Sequence, residues 1–322
     1  MAPLAGGSLE PAAGPLNRIA FSIDPIPPFR LDLTAWTLRR RPGNIVDRWD
    51  GKTYRRALVV GGHPLEVEVE QTGSPDAPRL KVRATSTLPF PGAGSAVRNA
   101  VERILGARTD LDGFYRFAAG DPALGPVVTR FRGAKPPRFP TLFEALTNAI
   151  ACQQLSLTVG ILLLNRMTEA CGAAIPDSDP PVYAFPSPED VAALAPETLR
   201  SLGFNRQKAR AILELASVIA GKRIDLDGIA SLDDDAAVDR LRELRGVGRW
   251  TAEYVLLRGL GRIHVFPGDD VGARNHLRRW LGKRKPLGYE EVRSALSRWE
   301  PYAGLVYFHL LLKGLSEAGR FP

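Results

Sequence analysis

The sequence predicts a two-part chain, an α+β N-terminal domain with an antiparallel sheet and helices, followed by an all-α region. Three observations lead there. Leu65-Glu66-Val67-Glu68-Val69-Glu70 alternates apolar and acidic residues just after Gly61-Gly62, as a half-buried strand leaving a hairpin turn should. From about Asp121 onward the apolar spacing is helical in segment after segment. Within that second part, Leu241 to Leu281 holds a glycine turn between two helices and then a pair of aspartates heading a third. The expected division is 1–17 disordered, 18–130 α+β, and 131–322 all-α.

The elements follow in order. Residues 1–17 are rich in Gly, Ala and Pro and carry no apolar segment. Pro25, Pro27 and Pro28 make Ile19–Leu33 extended rather than helical. Strands are expected over Tyr54–Val60, Leu65–Glu70 and Arg79–Ala84, and a helix over Ser95–Leu105 ending at Gly106. No catalytic constellation stands out in this front third. Helices are then expected over Thr141–Cys152 and Leu155–Ala170, with a Pro-rich connector from Pro176 to Pro186. Ser187-Pro188 supplies a capping serine and a first-turn proline. Further helices read as Gln207–Ala220, Arg249 to about Leu257, Val271–Trp280 and Leu305–Leu315.

Composition narrows the function classes. Apolar residues make up 44% and charged residues 24%, the balance of a soluble globular protein. A net charge of +8 and a pI near 9.7 tilt toward a polyanionic partner, although a basic enzyme of another kind fits equally. The two cysteines, Cys152 and Cys171, are too few for a four-cysteine zinc or iron–sulfur site. No run approaches the roughly 18 apolar residues that span a bilayer. No membrane partner, a cytoplasmic location and a monomer are the expectations, with no cofactor and no catalytic metal.

The chemistry concentrates in Leu241–Leu281. Gly246 and Gly248 permit positive φ and leave their N–H groups open beside a helix start, a site for one phosphate, with Arg245 and Arg249 flanking it. A tight helix–turn–helix connection is the plainer alternative. The helix after it is about 14 Å long at 1.5 Å per residue. The extended return from Gly259 to Gly268 is therefore long enough to bring Asp269 and Asp270 back toward the hairpin. Trp250 and Tyr254, four apart, share one face and either line a pocket there or pack as ordinary core. One aspartate is expected to cap the following helix while the other works.

Taken together, the hairpin, Trp250-Thr251-Ala252, Tyr254, Arg258-Gly259 and Asp269-Asp270 resemble the helix–hairpin–helix DNA glycosylase superfamily, most of all its bacterial 3-methyladenine DNA glycosylase II branch. The step from Gly248 to Asp270 (270 − 248 = 22 residues) fits that family. So do Arg298-Trp299-Glu300-Pro301, His309, and the segment Ala149-Ile150-Ala151-Cys152-Gln153-Gln154-Leu155-Ser156. The likeness runs from about 20 to 318 and is strong from about 137.

The resemblance implies double-stranded damaged DNA as partner, and Asp270 as the catalytic carboxylate, opposing the oxocarbenium charge that develops when a flipped base leaves. It makes Trp250 and Tyr254 the stacking wall of the base pocket. It assigns Arg245, Gly246, Val247, Gly248, Arg249 and Thr251 to the DNA-binding hairpin. Gln153, Gln154 and Leu155 become a lesion-facing loop, with the wedge at Gln154 or, one register on, Leu155. Leu311 stands where the branch has a pocket tryptophan, which opens the pocket. Relatives that also cut the strand carry a lysine two residues after the second hairpin glycine; Trp250 occupies that place, so simple hydrolysis is expected. Two other readings stay open: a glycosylase for oxidised or deaminated bases, and a non-catalytic hairpin module that grips phosphate only.

Overall fold

A computed structural model describes residues 17–86, 89, 92–176 and 178–321. The disorder expected over 1–17 lies outside these, except at Asn17, which opens the first strand. The front unit runs β1 (Asn17–Ile23), α1 (Leu31–Arg39), β2 (Arg48–Trp49), β3 (Thr53–Val60), β4 (His63–Thr72), β5 (Arg79–Ser86) and α2 (Gly94–Leu105). Its strands form one antiparallel sheet in the order β1-β5-β4-β3-β2. Val60 pairs with His63 across the Gly61-Gly62 turn, as the sequence predicted. Alternation along β4 sends Leu65, Val67 and Val69 into the core. Its acidic face does not simply face water: Glu68 takes Arg55 at 2.9 Å from β3 and Arg83 at 3.0 Å from β5, a cross-strand zipper.

The prolines at 25–28 were read as keeping Ile19–Leu33 extended. That holds for β1, but the chain turns helical at Leu31, where α1 packs its apolar side into the core under the sheet. The helical part comprises α3 (Asp112–Ala119), α4 (Leu124–Arg130), α5 (Leu142–Cys152), α6 (Leu157–Cys171), α7 (Pro188–Ala192), α8 (Pro196–Ser201), α9 (Arg206–Ala220), α10 (Leu226–Ile229), α11 (Asp234–Arg242), α12 (Arg249–Val255), α13 (Val271–Trp280), α14 (Tyr289–Leu296) and α15 (Ala303–Glu317). Helix α12 continues through a π-helical turn, Leu256–Leu260, and stops at Gly261, whose φ is +80°.

Apolar side chains gather in three main clusters. One lies between the sheet, α1 and α2; a second joins α5, α6, α9, α11 and α12; a third joins α13, α14 and α15. Residues 111–128, grouped by sequence with the front unit, pack in the third cluster beside Trp299 and Phe308. Front and back are tied by a buried ionic network: Arg56 of β3 reaches Asp47 at 2.7 Å and Glu144 of α5 at 2.6 Å, and Tyr54 donates to Asp47 at 2.7 Å. Arg56 is 1% exposed, so this network fixes the sheet against α5, the helix that ends at the candidate site.

Candidate active site and nucleic-acid interface

A cleft of about 1220 Å³ opens between the end of α5, the start of α12, the start of α13 and one face of α15. Each wall has a local cause. Thr141 caps α5, and the helix runs apolar to Cys152, after which Gln153 breaks it. Gly248 ends the hairpin and α12 begins at once, setting Trp250 and Tyr254 on the cleft side with ring centroids 5.6 Å apart. The return segment brings both aspartates back beside them, as the spacing required.

The division of labour between the aspartates differs from the expected one. Asp270 is itself the cap of α13: its Oδ1 accepts the Ala273 N–H at 2.8 Å. Its Oδ2 faces the cleft and accepts from Trp250 Nε1 and from the Tyr307 hydroxyl, each at 3.2 Å. One carboxylate thus caps with one oxygen and presents the other. Asp269 instead binds Arg249 through Nε at 2.9 Å and Nη2 at 2.8 Å. Burial, and then the charge of Asp270, push the Tyr307 hydroxyl well above its usual range, so it stays a donor to that carboxylate.

Gly246 is exposed and has φ +79°, but Gly248 is extended, so only the first glycine needs left-handed backbone. The arginines beside them are engaged: Arg245 pairs with Glu214, and Arg249 lies 3.5 Å over the Tyr289 ring as well as on Asp269. Val247 and Thr251 do not lie on the surface. They are 7% and 1% exposed, because the hairpin packs them against the second cluster. Gln153 also turns inward: its Nε2 donates to the Gly246 carbonyl and to Thr251 Oγ1, both at 2.8 Å. Gln154 and Leu155 remain outward on the cleft rim, Gln154 at φ +53° and Leu155 42% exposed. Leu311 lines the cleft from α15.

Sequence reading missed several cleft residues. Arg40, at the end of α1, crosses from the front unit and donates to the Tyr254 hydroxyl at 3.1 Å and to Asn148 Oδ1 at 2.8 Å. It is 6% exposed, and Arg41 stands beside it on the cleft wall. Tyr307 and His276 also line the cleft. Nothing local in the sequence distinguishes Arg40 from the other 34 arginines (35 − 1). Its partners lie 108 and 214 residues away. Among the described residues no group of three or more His, Cys, Asp or Glu side chains is arranged to hold a metal ion, and no helix is long and apolar enough to cross a membrane.

Residues 147–301 match the family model for HhH-GPD superfamily base excision DNA repair proteins. Over 205 residues the chain is 31% identical to a Bacillus subtilis (strain 168) DNA-3-methyladenine glycosylase, a stretch covering 63% of this chain and 68% of that one. The chain belongs to the HhH-GPD superfamily. The solved structure of a 3-methyladenine DNA glycosylase from Archaeoglobus fulgidus superposes with a TM-score of 0.78 at 28% identity, covering 91% of this chain and 97% of that one. An 8-oxoguanine glycosylase/lyase of Clostridium acetobutylicum, crystallised with double-stranded DNA, shares the fold at a TM-score of 0.72, but at 16% identity. For an HhH-GPD protein the two-part architecture is therefore as the sequence predicted, a front sheet with helices joined to a helical region. Some of the similar proteins are named glycosylases and others glycosylase/lyases.

Proposed function

We propose that this HhH-GPD protein is a monofunctional DNA glycosylase that removes alkylated purines of the 3-methyladenine type from double-stranded DNA. One observation carries the reading: a single cleft-facing oxygen of Asp270, held by Trp250 and Tyr307 at the head of α13. Expelling a base leaves positive charge on the sugar, and a fixed carboxylate opposes it without having to reorganise. Three donors, Trp250 Nε1, the Tyr307 hydroxyl and the Ala273 N–H, fix the orientation of this carboxylate. A base rotated out of the stack enters beside Trp250 and Tyr254. Stacking of a cationic purine there contributes about 0.5–2 kcal/mol, so the already weakened glycosidic bond of such a lesion supplies much of the selectivity.

Strand cutting requires an amine at the sugar. Trp250 occupies the position where lyases carry lysine, and no lysine is among the residues lining the cleft. This supports hydrolysis alone. The exposed amides at Gly246 and Gly248 suit one DNA phosphate, and Gln154 with Leu155 suits the gap left by the flipped nucleotide.

The test is release of free base from methylated duplex DNA. Wild-type protein is expected to release it, whereas Asp270→Asn binds the DNA and releases none. Near-normal release by that variant would remove Asp270 from the role, and binding without release by the wild type would favour a non-catalytic module. Borohydride trapping of a protein–DNA adduct would contradict the hydrolytic mechanism.

A further inference from the structure

The lesion-facing loop and the phosphate-gripping hairpin are bolted together by a contact between residues 93 apart in the chain. Gln153, the first residue after α5, donates its Nε2 to Gly246 O at the hairpin tip and to Thr251 Oγ1 in the first turn of α12. Lys208 of α9 reaches the same place from behind. Its Nζ donates to the carbonyls of Ala151 at 2.8 Å and Gln153 at 2.6 Å, the negative end of α5. Lys208 is 7% exposed, and burial lowers its pKa, so this ammonium has been taken out of water to make those two contacts.

Helix α9 also carries the hairpin. A Cβ at Gly246 would come within 2.8 Å of Ala211 on α9, and Glu214 on the same helix holds Arg245. The three contacts close a triangle: hairpin to Gln153, Gln153 to Lys208, and α9 back to the hairpin. On its other side the loop is stopped by Ser156, whose hydroxyl caps α6 through the Val159 N–H. Gln154 and Leu155 are thus the residues left projecting between two fixed points, both exposed at the cleft rim.

We propose that Gln153 and Lys208 are positioning residues that hold the Gln154–Leu155 tip at a set distance from the phosphate grip, so that gripping the backbone and pressing the tip into the duplex are one rigid-body event. This rests on the glycosylase reading for what the tip does. It differs from simple bracing of the fold, which would lower DNA grip, insertion and stability together. A rigid probe is favoured because the entropy of ordering the two loop residues has already been lost in the free protein.

The experiment places 2-aminopurine in a duplex and reads its fluorescence, which rises when the base leaves the stack, alongside the Kd for the same duplex. The wild type is expected to raise the signal several-fold. Gln153→Leu keeps the side-chain bulk and removes the donor; Lys208→Met does the same at its site. Both are expected to lose most of the fluorescence rise while Kd changes by no more than about threefold, roughly 0.65 kcal/mol. Lys208→Arg, which keeps charge and donors, restores much of the signal. Full signal in both variants, or Kd and melting temperature falling in step with the signal, would overturn the proposal, as would a wild type that leaves the signal unchanged. Release of base from methylated DNA by the same wild-type preparation is scored separately, so loss of the positioning role and loss of the glycosylase reading give different results.

Discussion

Asp270 uses its two oxygens differently, one to cap α13 and the other, in the proposed reading, to face the reacting sugar. Removing the Tyr307 hydroxyl isolates the second role, because the cap to Ala273 is untouched. Tyr307→Phe is expected to slow base release by about tenfold to a hundredfold, the roughly 1.5–3 kcal/mol of a hydrogen bond to a charged group, with melting temperature nearly unchanged; single-turnover kinetics would check this. At His309 the sign runs the other way, toward stability. Burial pushes this imidazole down to about 4, with Nδ1 held by the Leu305 carbonyl at 2.8 Å. Between the ordinary value of 6.5 and about 4, the unfolded chain takes up a proton that the folded chain refuses, so stability falls as pH drops through that window. Melting curves should show a loss of up to a few kcal/mol there, and His309→Gln should flatten the slope over the same range.

At the scale of elements, the two hairpin glycines separate cleanly. Gly246 needs its φ of +79° and has Ala211 against it, whereas Gly248 is extended and faces open space, with nothing within 4 Å of an added Cβ. Gly246→Ala is therefore expected to cost about 1–3 kcal/mol of stability. Gly248→Ala should leave stability unchanged and weaken DNA binding, because its methyl meets only what approaches from outside; thermal melts and Kd measurements on both variants decide it. This contrast also shows what was legible in the sequence. The hairpin, the start of α13 at Asp270, and the β3–β4 turn rest on cap and turn chemistry within a few residues of each other, so they could be read directly. The pairing of β1 with β5, the inward turn of Gln153 and the burial of Thr251 depend on partners 57 to 98 residues away in the chain, as in Ile23 with Leu80 (80 − 23 = 57) and Thr251 with Gln153 (251 − 153 = 98), so no local pattern announced them. The role of Asp269 was missed for a related reason: two adjacent carboxylates look alike until Arg249 is seen to claim one.

Across the whole molecule, the front sheet does more than sit beside the helices. The buried Asp47–Arg56–Glu144 network anchors α5. Glu144→Gln, which leaves Arg56 short of a counter-charge, is expected to cost about 3–5 kcal/mol, seen as a lower denaturation midpoint. DNA affinity should fall steeply with salt, since each phosphate neutralised releases counterions and contributes about −0.9 to the slope of log K against log salt. Arg40 carries a further consequence. It enters the cleft from α1 and donates to Tyr254 and Asn148, on two different helices of the other part. Dissection of the chain at residue 131 would therefore not yield a trimmed but working catalytic fragment. It would strip one wall from the cleft and bare the inner end of Tyr254 to water, so that any selectivity measured on the remnant would no longer report on the parent.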